Sequence, residues 1–93
     1  MIYAVVELTI SDQASFDAYA KQAGAALVKY GAKPEAMSTE PTQIEGAGAA
    51  PGRMVLLSFP DKAAALGWIE DPELREVHAL RRASGDCRIR LIG

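Results

Sequence analysis

The run "RMVLLSF" (Arg53 to Phe59) is followed at once by Pro60 and Asp61. It is short, rich in residues that favour strands, and apolar in both phases of a two-residue repeat. Met54 and Leu56 point one way, and Val55, Leu57 and Phe59 the other. A strand of this kind must be covered from both sides. The chain has 93 residues, enough for one domain spanning residues 1–93 with a modest core. That strand therefore sits inside a sheet, and the source of its second cover becomes the main question about the architecture.

The remaining elements follow from local pattern. "IYAVVELTI" (Ile2 to Ile10) is β-branched and free of breakers, and reads as a strand. Asp12 is placed to cap a helix in which Phe16, Tyr19, Ala20, Ala23, Leu27 and Tyr30 recur at helical spacing, with Gly31 as its terminator. Pro34 and Pro41 bar the next segment from a central position, so Glu35 to Thr39 reads as an irregular edge strand. A Gly/Ala/Pro loop follows from Gly46 to Gly52. After the apolar strand, Asp61 caps "KAAALGWIE". Asp71 caps a restart, with Pro72 at the first position, that runs to about Ala83. "DCRIRLIG" alternates Cys87, Ile89 and Leu91 against Arg88 and Arg90, as a last strand. The order β-α-β-β-α-β implies an α+β, ferredoxin-like fold: a four-stranded antiparallel sheet with two helices on one face.

Composition removes several function classes. The net charge is −2 with no basic block, which leaves no electrostatic footprint for nucleic acid or an anionic membrane. No apolar run approaches the roughly 18 residues of a membrane span. The first residues lack the pattern of a signal peptide, and the single cysteine, Cys87, fits a reducing cytoplasm. One histidine and one cysteine on different elements form no metal-ligand cluster, and neither a phosphate loop nor a nucleophile elbow is present. The expectation is a cytoplasmic protein with no metal and no cofactor.

On the first strand Ala4, Val6, Leu8 and Ile10 should lie under the helices, leaving Tyr3, Val5, Glu7 and Thr9 on the far face. With Val55, Leu57 and Phe59 assigned to that same far face, a large apolar patch results. At about 25 cal/mol per Å² its burial is worth several kcal/mol before the cost of association. A second copy docked sheet to sheet is the simplest cover. Glu7 shares this face with Arg88 and Arg90 and is placed to pair with one of them. The expectation is a homodimeric α+β barrel.

The segments "YAVVELTISD", "FDAYAK", "LVKYG", "IEG", "RMVLLSFPDKAAALGWIEDPEL" and "ALRRA" resemble, in order and spacing, the domain-of-unknown-function 1330 family. The resemblance spans essentially the whole chain. It implies a short dimeric ferredoxin-like barrel with no activity firmly attached. It also implies a link to α+β barrels that include cofactor-free monooxygenases, lactone isomerases and chlorite- or haem-handling proteins, in which small molecules sit between sheet and helices. Tyr3, Glu7, Asp12, Tyr19, Tyr30, Gly31, Glu45, Gly46, Arg53, Phe59, Pro60, Trp68, Pro72, Glu73 and Arg81 match the family's habits. Leu74, the Ala47-Gly48 pair and His78 depart from them.

The candidate site follows. His78 is the only side chain that titrates near neutrality, and it borders the stripe Leu74, Val77, Leu80 and Ala83. It reads either as a general base facing a cleft or as a boundary residue on a solvated face. Arg81 suits a planar carboxylate or enolate, or else an ion pair with Glu73, Glu7 or Glu70. Arg75 pairs naturally with Asp71 at helical spacing. Trp68, Tyr19, Tyr3, Glu7 and Arg81 are the ligand-binding candidates, and His78 with Arg81 the catalytic ones. Three functions fit: a dimer binding a small apolar or carboxylate-bearing metabolite, a cofactor-independent monooxygenase or isomerase, or a non-catalytic scaffold.

Overall fold

The computed structural model describes residues 1–93. Strand β1 covers Ile2–Ile10, helix α1 Gln13–Lys29, β2 Lys33–Ser38, β3 Arg53–Phe59, α2 Lys62–Glu70, α3 Arg75–Ala83 and β4 Gly85–Ile92. A single 3-10 turn, Pro72–Leu74, joins α2 to α3. The strands form one antiparallel sheet in the order β2-β3-β1-β4, with the helices on one face. This is the ferredoxin-like arrangement.

The three aspartates expected at helix starts all act there. Asp12 accepts from the Ser15 amide, Asp61 from Ala64 and Asp71 from Glu73. Each satisfies a donor that the first turn leaves without a partner. Gly31 takes a positive φ of 68° just past α1, where a side chain would strain the backbone. The edge strand β2 starts two residues earlier than its prolines suggest. It absorbs Pro34 through a register shift between Pro34 and Ala36.

Two faces differ from expectation. Register pairs Val6 with Val55, Ala4 with Leu57 and Ile2 with Phe59. Residues directly opposite each other share a face, so Val55, Leu57 and Phe59 lie under the helices, not on the far side. Phe59 is fully buried there. The far face instead carries Met54, Leu56 and Ser58 beside Glu7, Val5 and Tyr3. A strand apolar in both phases has no periodic signal to choose between them. Pairing with β1 makes the choice.

Helix α3 is likewise rotated from its expected stripe. Its inward residues are Val77, His78, Arg81 and then Ser84, while Ala83 is exposed. His78 thus lies neither at an open cleft nor on a solvated face. The core joins Ala4, Val6, Leu57, Phe59, Trp68 and Val77.

Candidate functional site

The approach of α2 to the end of α1 builds one side of the site. A Cβ at Gly67 would stand 2.8 Å from Cε1 of Tyr30, so only glycine lets the helices meet this closely. The Tyr30 hydroxyl donates to Asp71 at 2.7 Å, and Lys29 Nζ reaches the same carboxylate oxygen at 2.6 Å and Glu73 at 2.8 Å. Asp71 therefore pairs with Lys29, forty-two positions away in sequence, and not with Arg75. The Lys29 and Tyr30 hydrogen bonds hold its carboxyl down at about 2. The same contact raises the Tyr30 phenol, since ionisation would cost the donated bond and set two anions side by side. Lys29 is raised as well, chiefly by its bond to Asp71.

Beyond this clamp, Trp68, His78, Arg81 and Tyr19 meet beneath the helices. Trp68 is 4 % exposed, His78 1 % and Arg81 2 %. The Trp68 ring packs on Phe59 at 5.5 Å and edge-on to His78 at 4.7 Å. Nε2 of His78 lies 2.7 Å from the backbone oxygen of Trp68, which can only accept, so this nitrogen carries the proton. Nδ1 is then bare and accepts from Nη1 of Arg81 at 2.6 Å. Burial, more than any other influence, lowers the pKa of His78, and the Arg81 and Arg82 charges add to it. Both ring nitrogens are occupied, so His78 positions its neighbours and has no free nitrogen with which to take a proton from a substrate.

Arg81 forms none of the ion pairs anticipated with Glu73, Glu7 or Glu70. A buried cation without a carboxylate is costly. Here the faces of Trp68 and Tyr19, at 5.2 and 5.8 Å from Cζ, offset part of that cost, as does the C-terminal turn of α3. Nε of Arg81 and Nε1 of Trp68 are both buried with no hydrogen-bond partner.

A cavity of about 250 Å³ opens between α2 and the sheet. Trp68, Phe59, Ala65 and Ile89 line it, and the half-exposed Leu66 and Leu91 form its lips. Every lining residue is apolar. Neither His78 nor Arg81 reaches it. Arg81 stands one ring behind, separated from the hollow by Trp68.

The other two candidates lie elsewhere. Tyr3 and Glu7 are on the far face of the sheet. Tyr3 is exposed opposite Ser58 and Ile92. Glu7 accepts from Arg90 at 3.4 Å and borders a polar recess shared with Thr9, Pro51 and Arg88. Cys87 is half-buried and free. No group of three or more His, Cys, Asp or Glu side chains is placed to hold a metal ion, and no helix is long and apolar enough to cross a membrane.

One residue that the sequence marked as a match to the family, but not as a site candidate, belongs beside these. Arg53 opens β3 on the helix side, opposite Leu8, with its guanidinium 4.6 Å from the centre of Phe16. The signal was available in principle, because a cation heads an otherwise apolar strand.

The fold has solved counterparts. A protein of unknown function from Rhodopseudomonas palustris superposes with a TM-score of 0.83 at 18 % identity, over 98 % of this chain and 79 % of that one. SnoaB, a cofactor-independent oxygenase from Streptomyces nogalater, gives 0.67 at 13 % identity, over 99 % and 90 %. A dimeric ferredoxin-like protein of unknown function from Jannaschia sp. CCS1 gives 0.67 at 15 % identity, over 99 % and 97 %. At these identities the likeness is one of fold. No curated protein matches the chain. The model of one family covers residues 1–93 from end to end, and the chain belongs to that family, Domain of unknown function (DUF1330).

Proposed function

We propose that the protein is a homodimeric binding protein that holds a small apolar metabolite between sheet and helices. The cavity walled by Trp68 carries this reading. It is lined entirely by apolar side chains, with Trp68 as its largest wall. A hollow of about 250 Å³ suits a ligand smaller than a typical drug. The lone Cys87 has no second cysteine to bridge, which suits a reducing compartment and supports a cytoplasmic setting.

Dimerisation rests on the far face of the sheet. Val5, Met54 and Leu56 are half-exposed there, next to the exposed Tyr3 and Ile92. Such a patch favours a cover. The Jannaschia protein, dimeric with the same fold, supports a second copy in that role.

Trp68 is the only tryptophan, so its fluorescence reports on the cavity directly. Toluene should shift that emission saturably in the wild type. Leu66→Glu, which puts a charge on an exposed lip, should weaken the response at least tenfold. An unchanged response in that variant, or none in the wild type, refutes the reading. Mass spectrometry of material extracted from the purified protein then identifies the natural ligand.

A second reading, a cofactor-independent oxygenase or isomerase, is favoured by the resemblance in fold to SnoaB. Turnover of the extracted ligand separates the readings. A binder returns it unchanged, whereas an enzyme converts it.

A further inference from the structure

We propose that the protein has a second ligand site, separate from the Trp68 cavity: a slot between α1 and the β3 side of the sheet that takes a small monocarboxylate, with Arg53 as its anion anchor. The slot has a volume of about 210 Å³, and its walls are Leu8, Tyr19, Leu27, Val55 and Leu57. It shares no lining residue with the Trp68 cavity. Its only charged lining residue is Arg53.

Arg53 lacks the partners that an arginine in a protein wall normally has. It takes part in no ion pair. Its Nη1 reaches only the thioether sulfur of Met37, at 3.5 Å, and sulfur of that kind is a weak acceptor. Its Nε is buried and has no acceptor at all. The plane of the guanidinium is nevertheless held in place over Phe16 at 4.6 Å. A charged fork that is fixed, partly desolvated and unpaired at an apolar slot is matched by one planar anion that brings its own apolar tail.

The slot sets the size of that tail. At about 30 Å³ per water, 210 Å³ is roughly seven water volumes, which is room for a short aliphatic or single-ring acid. A dicarboxylate is disfavoured, because its second charge would meet the apolar walls.

The test is a titration of isotope-labelled protein with hexanoate, followed by NMR, with 1-hexanol as the neutral counterpart. Hexanoate should move the methyl signals of Leu27, Val55 and Leu57 and shift the Arg53 Nε–H resonance. Arg53→Gln should weaken hexanoate at least tenfold and leave hexanol unchanged, which also shows that the slot is intact. Ala23→Phe, which fills the slot from α1, should abolish both. Equal hexanoate affinity in wild type and Arg53→Gln overturns the proposal. So do equal losses of both probes in Arg53→Gln, retained binding in Ala23→Phe, or shifts confined to Ala65, Ile89 and Leu91. Toluene binding at Trp68 is measured separately, so either site can fail without the other.

Discussion

Nη1 of Arg81 donates to Nδ1 of His78 across 2.6 Å, one helical turn apart on α3, and this bond is available only while the imidazole is neutral. The other ring nitrogen donates to the Trp68 carbonyl. Protonating Nδ1 would set one donor against another in a site closed to water, beside a second cation. His78 is therefore a pH-sensitive strut between α2 and α3.

The strut sets a direction for stability. Burial lowers the pKa of His78 below its usual 6.5, so the unfolded chain takes up the proton first. Stability is then full above about pH 6.5 and falls as pH drops from there through the folded pKa. Arg81 and Arg82 oppose protonation from α3, and Asp71 favours it from the junction before α3. Wild-type melting temperature should decline between pH 7 and pH 5. His78→Gln should start lower but stay flat across that interval. Parallel slopes for the two proteins would count against the strut.

Arg81 tests the cost of a buried cation. Arg81→Met keeps most of the volume and removes an unpaired buried charge, but it also leaves Nδ1 of His78 without its donor, so the two effects oppose each other and stability should fall by no more than about 1–2 kcal/mol. Arg81→Ala loses the same donor and also leaves a hole behind Trp68, and should cost about 2–4 kcal/mol. Urea denaturation curves of the two variants measure the difference.

Gly67 holds α2 against Tyr30. Alanine is worth about 1 kcal/mol more than glycine in a helix interior, but its Cβ would stand 2.8 Å from a ring anchored by Asp71. The overpacking cost of about 1–3 kcal/mol should win. Gly67→Ala should therefore unfold at lower urea, while Gly24→Ala, with nothing within 4 Å of its added carbon, should be stabilising.

Asp71→Asn should release Tyr30. The wild-type phenol is raised by its bond to Asp71, so in the variant it should ionise at lower pH, visible in the Tyr30 ring carbon shift. The same change removes the carboxylate held at about 2. The loss of stability that accompanies acidification from about pH 4 towards pH 2 should shrink with it.

Leu56→Glu tests the far face. Leu56 pairs with Val5 between the two central strands, on the side without helices. A carboxylate there is tolerated by a monomer and penalised between two apolar sheets. Sedimentation should show a wild-type dimer at micromolar concentration and a folded monomer for the variant. A wild-type monomer at that concentration would remove the basis for the dimer.

Local chemistry was enough to specify the element order, the capping roles of Asp12, Asp61 and Asp71, the Gly31 stop and the shared face of Glu7 and Arg90. Each depends on residues a few positions apart, or on a two-residue alternation that survives whatever the strand pairs with. The tertiary structure alone decided which side of β3 faces the helices, because both sides carry large apolar residues and pairing with β1 distinguishes them. It also decided that two polar residues of α3, His78 and Arg81, turn inward. A hydrophobic stripe cannot reveal polar groups that become buried by bonding to each other and to a carbonyl ten residues away. The Asp71–Lys29 clamp and the slot at Arg53 were hidden for the same reason: their partners are distant in sequence and meet only when the helices settle on the sheet.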